Sequence, residues 1–217
     1  MLQNYKTIQN PAQIELYEKN SRFIGHAFPM DTEEAAINKL NEIKKIHKTA
    51  NHNCFAYQIG ERNQFSRQSD DGEPSGTAGM PILDFIKKQD LKNILIVVTR
   101  YFGGTLLGTG GLTRAYGRAA KEAAIAAVII EKTLHQKLNI TVPYHLGGKT
   151  EYEIRNKGYI LTEINYSDNI DFVVLARVGE TQTGESQTKT LTDHITNITS
   201  NTAIITPLGT EYTSTVL

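Results

Sequence analysis

Residues 100–114 read Arg-Tyr-Phe-Gly-Gly-Thr-Leu-Leu-Gly-Thr-Gly-Gly-Leu-Thr-Arg, and this stretch decides how the first half of the chain folds. It overlaps a nearly continuous apolar run, Ile94–Tyr101, which predicts a strand buried on both faces. The glycines predict a loop over 103–111, because glycine adopts backbone conformations that other residues avoid. The alanine-rich segment 112–130 then predicts a long helix that packs closely on the sheet.

The start of this helix carries the first candidate site. Arg114, Arg118 and Lys121 are spaced to share one helical face, and no acidic residue occurs between Asp90 and Glu122. A helix N-terminus offers unpaired N–H groups to an anion, and glycines let a ligand approach the backbone. The alternative is a tight strand-to-helix turn beside a solvated basic face. The predicted anion or nucleic-acid site comprises Arg100, Gly103, Gly104, Gly108, Gly110, Gly111, Arg114, Arg118 and Lys121.

The glycine spacing matches neither of two common nucleotide-binding motifs. Thr109 stands where Gly-x4-Gly-Lys requires lysine, and Thr113 stands where Gly-x-Gly-x-x-Gly requires its third glycine. The sequence therefore predicts no cofactor.

The second candidate site is the acidic segment that contains Asp70, Asp71 and Glu73. Three carboxylates within four residues could bind Mg²⁺ or act as acid and base, although they lack the spacing of a calcium loop. The more common interpretation is a solvated turn whose carboxylates cap the following helix. We therefore assign no catalytic residue and no metal ligand from the sequence, and keep these three as possible acid or metal groups.

Two further sets of side chains have simpler interpretations. His52 and Cys54 point to the same face of a predicted strand, so a nucleophilic Cys–His pair is conceivable. No third group orients the pair, and a buried structural thiol is the favoured interpretation. Tyr101 and Phe102 could stack on bases, but aromatics at a strand end usually close the core, and the sequence favours that role.

The remaining elements of the first half follow from local patterns. Strands are predicted over 14–17, 22–30, 53–59 and 64–68, with helices from about 36 to 48 and over 78–89. Asp31 and Glu34 have the spacing of a capping box at the start of the first helix.

The second half reads as strand, helix, strand, strand, helix, strand, over 134–144, 147–156, 159–166, 170–178, 186–199 and 202–207. The order βαββαβ is the split βαβ, ferredoxin-like arrangement. Composition also changes near residues 131–134. Residues 1–132 contain 17 basic and 14 acidic residues, whereas residues 133–217 contain 6 and 9, so the net charges are +3 and −3. We expect domains over 1–132 and 133–217.

The composition of the whole chain excludes several classes of protein. The 217 residues carry 23 basic and 23 acidic side chains, so no partner can be argued from net charge. No apolar run approaches the roughly 20 residues that span a bilayer, and the first 20 residues lack the apolar core of a signal peptide. The single cysteine cannot form an internal disulfide. We expect a soluble, cytoplasmic protein without membrane partners.

Four segments together resemble the YigZ/IMPACT family, and in particular its bacterial YigZ branch. They are Ser21-Arg-Phe-Ile-Gly25, the strand over 51–57, Ser69-Asp-Asp-Gly-Glu-Pro-Ser-Gly-Thr-Ala-Gly79, and the stretch from Val98 to Leu112. The resemblance implies an α+β chain whose N-terminal domain has the ribosomal protein S5 domain-2-like fold. It implies a ferredoxin-like C-terminal domain similar to domain V of elongation factor G. Eukaryotic IMPACT proteins regulate translation by binding a partner of a kinase that phosphorylates an initiation factor. The family supplies no established catalytic residues.

Three hypotheses about function follow. The first is a non-enzymatic, translation-linked protein that contacts RNA or the ribosome through the basic glycine-loop and helix face. The second is an enzyme or binder of a small phosphorylated substrate at the glycine loop, with Asp70, Asp71 and Glu73 beside it. The third is a module that binds a protein partner in translation control.

Overall fold

The computed structural model describes residues 1–179 and 186–217, and the chain divides into two compact units. The first unit comprises chiefly Tyr5–Glu131 and the second chiefly Lys132–Ser214. Both contain helices and antiparallel strands in mixed order, which confirms the α+β class. Within the described residues, no helix combines the length and apolar character needed to cross a membrane.

The first unit is built on a five-stranded antiparallel sheet in the order β2-β3-β6-β4-β5. The predicted strands are present. Its strands are β2 (Ala12–Glu18), β3 (Ser21–Pro29), β4 (His52–Ile59), β5 (Phe65–Ser69) and β6 (Ile94–Tyr101). Strand β6 is central because its apolar run is buried on both sides of the sheet. An additional strand, β1 (Asn4–Ile8), was not predicted from the sequence.

Helices cover both faces of this sheet. Helix α1 (Glu33–Ile46) packs on one face through Ala36, Leu40 and Ile43. Helices α2 (Gly79–Lys88) and α3 (Thr109–Ala126) pack on the other face, where the alanines of α3 allow close approach. The predicted Asp31 capping box is wrong by one residue, because Thr32 caps α1 by accepting the N–H of Ala35 at 3.1 Å.

Helix α3 differs from its prediction at both ends. It begins at Thr109 and not at residue 112, so Gly110 and Gly111 belong to its first turn and not to a loop. It ends at Ala126, and Val128 takes a φ of 61° that a helix cannot continue. Strand β7 (Ile129–Val142) therefore begins where the helix was expected to continue.

The second unit has the predicted order of elements. After β7 come α4 (Tyr144–Asn156), β8 (Ile160–Tyr166), β9 (Ile170–Arg177), α5 (Gln187–Ile198) and β10 (Ile204–Val216). Strand β9 lies between β7 and β8, and β10 pairs with β7. This arrangement is compatible with a ferredoxin-like βαββαβ fold. Strand β10 extends well beyond the predicted 202–207.

Candidate functional site

The two candidate segments converge on one cleft in the first unit. Its walls come from residues 51–52 and 72–74, from Arg100 and Phe102, and from residues 106–109 with Leu112, and they enclose about 490 Å³. The acidic loop supplies one wall, and the N-terminus of α3 with its preceding loop supplies another. A volume of this size falls in the range of small-ligand sites.

The floor of the cleft contains a buried ion pair. Arg100 donates from Nη1 to Oε1 of Glu73 at 2.6 Å, and the two side chains are 5% and 3% exposed. The hydroxyl of Tyr116 donates to the same oxygen at 2.7 Å, and Nη2 of Arg100 donates to Ser21 at 3.2 Å. The expectation that Arg100 joins the exposed basic face is wrong, because its charge is buried and neutralised by Glu73.

The other two carboxylates of the acidic loop hold the loop in place. Asp70 accepts the N–H groups of Gly76, Ala78 and Gly79, so it closes the turn that leads into α2. Burial alone would raise the pKa of Asp70, but these three N–H groups lower it below its ordinary value.

Asp71 accepts from Lys44 and from the backbone N–H of Asn53. Burial opposes ionisation here too, but Lys44 and the N–H of Asn53 lower the pKa of Asp71. These contacts favour a structural role for Asp70 and Asp71 over acid–base work. Across the described residues, no group of three or more His, Cys, Asp or Glu side chains is placed to hold a metal ion.

His52 and Cys54 do share a strand face, but they do not form a nucleophilic pair. Cys54 is fully buried and its thiol donates to the carbonyl of Asp70 at 3.0 Å. Burial raises the pKa of Cys54 to about 12, so the reactive thiolate is suppressed. His52 lies within 2.9 Å of the Asp71 carbonyl through Nδ1, which assigns the proton to that nitrogen. Its Nε2 then faces Glu73 at 3.9 Å.

The glycines have separate roles around the cleft. Gly103 is required by close approach, since a Cβ there would lie 2.0 Å from the carbonyl carbon of Asn20. Gly108 is the N-cap of α3 with a φ of 72° and offers no capping side chain. The N–H groups of Thr109, Gly110 and Gly111 have no acceptor among the residues that the structure describes. Gly104 lies in the exposed loop with a φ of 81°.

The basic side chains of α3 are exposed on a different side of the helix from its alanine face. Arg114 and Arg118 line a groove of about 260 Å³ together with Lys19 and Glu18. Arg118 also pairs with Glu122 at 2.7 Å, and Lys121 is exposed one turn further on. The three predicted cations of α3 thus form one surface, whereas Arg100 lies below the cleft.

Phe102 departs from its predicted core role. It is 45% exposed at the rim of the cleft, and the neighbouring Leu106 is 81% exposed. Its backbone N–H donates to the Asn51 side chain at 2.8 Å, which fixes the rim to the β4 end of the sheet. Tyr101, by contrast, is partly buried and its hydroxyl meets His47 at 3.0 Å.

Tyr116 and Ser21, which bond the buried Glu73 and Arg100, were not predicted from the sequence. A signal for the burial of Arg100 was present, because it lies two residues after Val98 and shares that residue's core-facing side of β6. An arginine at such a position needs a buried acceptor. The identity of that acceptor depends on how the acidic loop folds back over the sheet.

The sequence that forms this cleft and the sequence of the second unit each match a known domain family. Residues 19–124 match the Impact N-terminal domain, and residues 140–202 match a domain of unknown function, DUF1949. The IMPACT family member YvyE of Bacillus subtilis is 41% identical over 199 residues, which cover 92% of this chain and 88% of that protein. The chain therefore belongs to the IMPACT family, as its motifs predicted.

Other relatives agree with this assignment. The IMPACT family member YigZ of Escherichia coli is 37% identical over 150 residues, or 65% of this chain and 74% of that protein. A crystal structure described as a hypothetical protein superposes with a TM-score of 0.58 at 26% identity, covering 94% of this chain and 97% of the other.

Proposed function

We propose that this protein is a non-enzymatic, translation-linked regulator that binds RNA or the ribosome through the basic face of α3. This face consists of Arg114, Arg118 and Lys121. Family membership supports the link to translation, since the resemblance to IMPACT proteins implies that role. The observation that carries the proposal is the clustering of three exposed cations on one surface of a single rigid helix.

The geometry of the basic face suits phosphate groups of a nucleic-acid backbone. Arg114 and Arg118 are one turn apart, about 6 Å along the helix, and Lys121 continues the same row. Their positions are fixed because the opposite side of α3 is anchored in the core through its alanines. Phosphate contacts of this kind depend on charge and carry no sequence preference.

Two acidic neighbours limit the strength of this surface. Glu122 neutralises part of the Arg118 charge, and Glu18 lies in the same groove. The Arg118–Glu122 pair is exposed, so it contributes little to stability and yields to a phosphate at little cost. Arg114 and Lys121 have no acidic partner within ion-pair distance among the described residues, so their charges are available to a phosphate, whereas Arg118 is paired.

The test is co-sedimentation with ribosomes at low salt, comparing the wild type with Arg114→Glu/Arg118→Glu. We expect the double variant to lose most of its binding. The single-site control is Arg155→Glu on α4, because Arg155 pairs with Glu151 at 2.9 Å across one helical turn, and its side chain has the same 59% exposure as that of Arg118. The control should bind as the wild type does.

Two outcomes would contradict the proposal. Equal loss in the Arg155→Glu control would indicate a general charge effect and not a surface on α3. Undiminished binding by the double variant would show that the basic face does not contact the ribosome. It would favour the alternative of a protein partner in translation control, which binds another surface.

A further inference from the structure

The cleft above Arg100 and Glu73 is separate from the basic face, and the basic-face proposal makes no use of it. Three features of this cleft each favour a bound ligand. They are an uncapped helix N-terminus, a buried arginine with an unmatched donor, and an exposed apolar rim.

The N-terminus of α3 provides the anion-binding element. Gly108 caps the helix without a side-chain acceptor, and the N–H groups of Thr109, Gly110 and Gly111 lack acceptors among the described residues. The first turn also contains no acidic side chain that would compete with an anion. These donors and the helix dipole together stabilise one phosphate group.

Arg100 supplies the second, independent observation. Its side chain lines the cleft and is 95% buried, yet its Nε–H has no hydrogen-bond acceptor among the residues described. Buried polar groups are nearly always satisfied, so an unmatched donor at the wall of a cleft indicates an acceptor that arrives with a ligand or with bound water. Nη1 donates one hydrogen bond to Glu73 and Nη2 donates one to Ser21, and these two bonds fix the position of the guanidinium.

The rim supplies the third observation. Phe102 and Leu106 are large apolar side chains left exposed beside the cleft, with Leu107, Leu112 and Pro74 continuing the apolar lining. The ring of Phe102 is held by the bond from its N–H to Asn51 and by the Arg100 guanidinium, 5.5 Å from the ring centre. An anchored aromatic ring at the mouth of a cleft is a stacking platform for a flat ring.

We propose that the cleft binds a nucleoside monophosphate group, with its phosphate at the N-terminus of α3 and its base against Phe102. A single phosphate fits the charge balance. Among the residues that the structure describes, Arg100 is the one arginine that lines the cleft and is already neutralised by Glu73, and no lysine lines it, so a di- or triphosphate would lack counter-charge. His52 presents Nε2 beside Glu73, where it can accept a hydrogen bond from a sugar hydroxyl.

The same ligand chemistry has two sources, a free mononucleotide and the 5′-phosphorylated end of an RNA strand. We would titrate the full-length protein with the four nucleoside 5′-monophosphates, the four unphosphorylated nucleosides, inorganic phosphate, and a tetranucleotide with and without its 5′-phosphate. Binding is followed through the NMR signals of Gly108–Leu112. We expect at least one monophosphate or the tetranucleotide to bind about tenfold or more tightly than its unphosphorylated counterpart.

The decisive variant is Thr109→Asp, which places a carboxylate at the first position of α3. An acidic residue there favours the helix, so folding is retained, but the carboxylate repels a phosphate at the same N–H groups. We expect binding to weaken about tenfold or more. The matched control is Thr188→Asp near the start of α5, where Thr192 bonds the Thr188 carbonyl just as Thr113 bonds that of Thr109. This control should bind nucleotide normally.

The stacking contact is tested by Phe102→Ala, which should weaken binding about fivefold or more, whereas the ring-preserving Phe102→Tyr should weaken it less. Arg118→Glu/Lys121→Glu should bind nucleotide like the wild type, so failure of this site and failure of the basic-face proposal are distinguishable. The proposal is overturned if no probe gives saturable shifts up to about 10 mM, since even weak specific sites reach millimolar affinity. Binding that is unaffected by Thr109→Asp would overturn it equally.

Discussion

Replacing Glu73 by alanine should destabilise the first unit more than any other single change at the cleft. Oε1 of Glu73 accepts from Arg100 at 2.6 Å and from Tyr116 at 2.7 Å, and all three side chains are buried. Removing one partner of a buried pair leaves the other charge uncompensated and costs about 3–5 kcal/mol. The Tyr116 hydroxyl also loses its acceptor, which costs about 1–3 kcal/mol, but part of this cost is already included in that of the unpaired Arg100 charge. We therefore expect a loss of about 4 kcal/mol.

Amide hydrogen exchange of strand β6 in the full-length protein is the appropriate assay. Strand β6 is the central strand of the first sheet, so its slowest amides report the stability of that unit alone. A loss of about 4 kcal/mol corresponds to exchange roughly a thousandfold faster. Glu122→Ala, which breaks an exposed pair on α3, should change these rates less than about fivefold.

The double variant Arg100→Met/Glu73→Leu separates an unpaired charge from lost packing. Replacing both partners by apolar side chains removes the buried charge, and such replacements are often close to neutral. We expect exchange of β6 to return most of the way towards the wild-type rate. The reasoning is refuted if Glu73→Ala speeds exchange less than about fivefold, or if the double variant is as unstable as the single one.

Two further predictions concern other parts of the first unit. Burial lowers the pKa of His26 to about 4, so the folded protein keeps this ring neutral while the unfolded chain binds a proton below about pH 6.5. Stability should therefore fall by up to about 3 kcal/mol as the pH drops from 6.5 to 4. His26→Gln should flatten that slope in urea titrations followed by NMR signals of β3, and an unchanged slope would contradict the assignment. Gly103→Ala should destabilise the unit by about 1–3 kcal/mol because its Cβ meets the Asn20 backbone. Gly117→Ala, which meets nothing within 4 Å in the middle of α3, should stabilise it by about 0.5–1 kcal/mol, and equal effects of the two would argue against close packing at residue 103.

The elements of the fold were largely predictable because their patterns are strong and local. The apolar run of β6 and the βαββαβ order of the second half were both read correctly from the sequence. The errors fall where local signals conflict. Gly110 and Gly111 have low helix propensity, yet they lie in the first turn of α3 because the buried face of that 18-residue helix, from Leu112 to Ala124, packs in the core. Strand β1 is short and largely polar, and the sequence around it does not alternate between apolar and polar residues as a half-buried strand does.

The candidate site was predicted only in part. The cations of α3 could be placed on one face because helical spacing fixes their relative positions. The buried role of Arg100 and the exposed position of Phe102 depend on contacts between segments distant in sequence, such as Asn51 with Phe102. The spacing of apolar residues along the chain does not show which distant segments contact each other. The structure brings the acidic loop and the glycine loop together, but of the three carboxylates only that of Glu73 lies at the cleft.

The dependence of ribosome binding on salt tests the central proposal most directly. Each phosphate contact contributes about one unit to the slope of log affinity against log salt concentration. We predict a clear negative slope for the wild type, and a slope smaller by about two for Arg114→Glu/Arg118→Glu, with Arg155→Glu unchanged. Binding with the same slope in all three proteins would contradict the proposal that the basic face of α3 contacts nucleic acid.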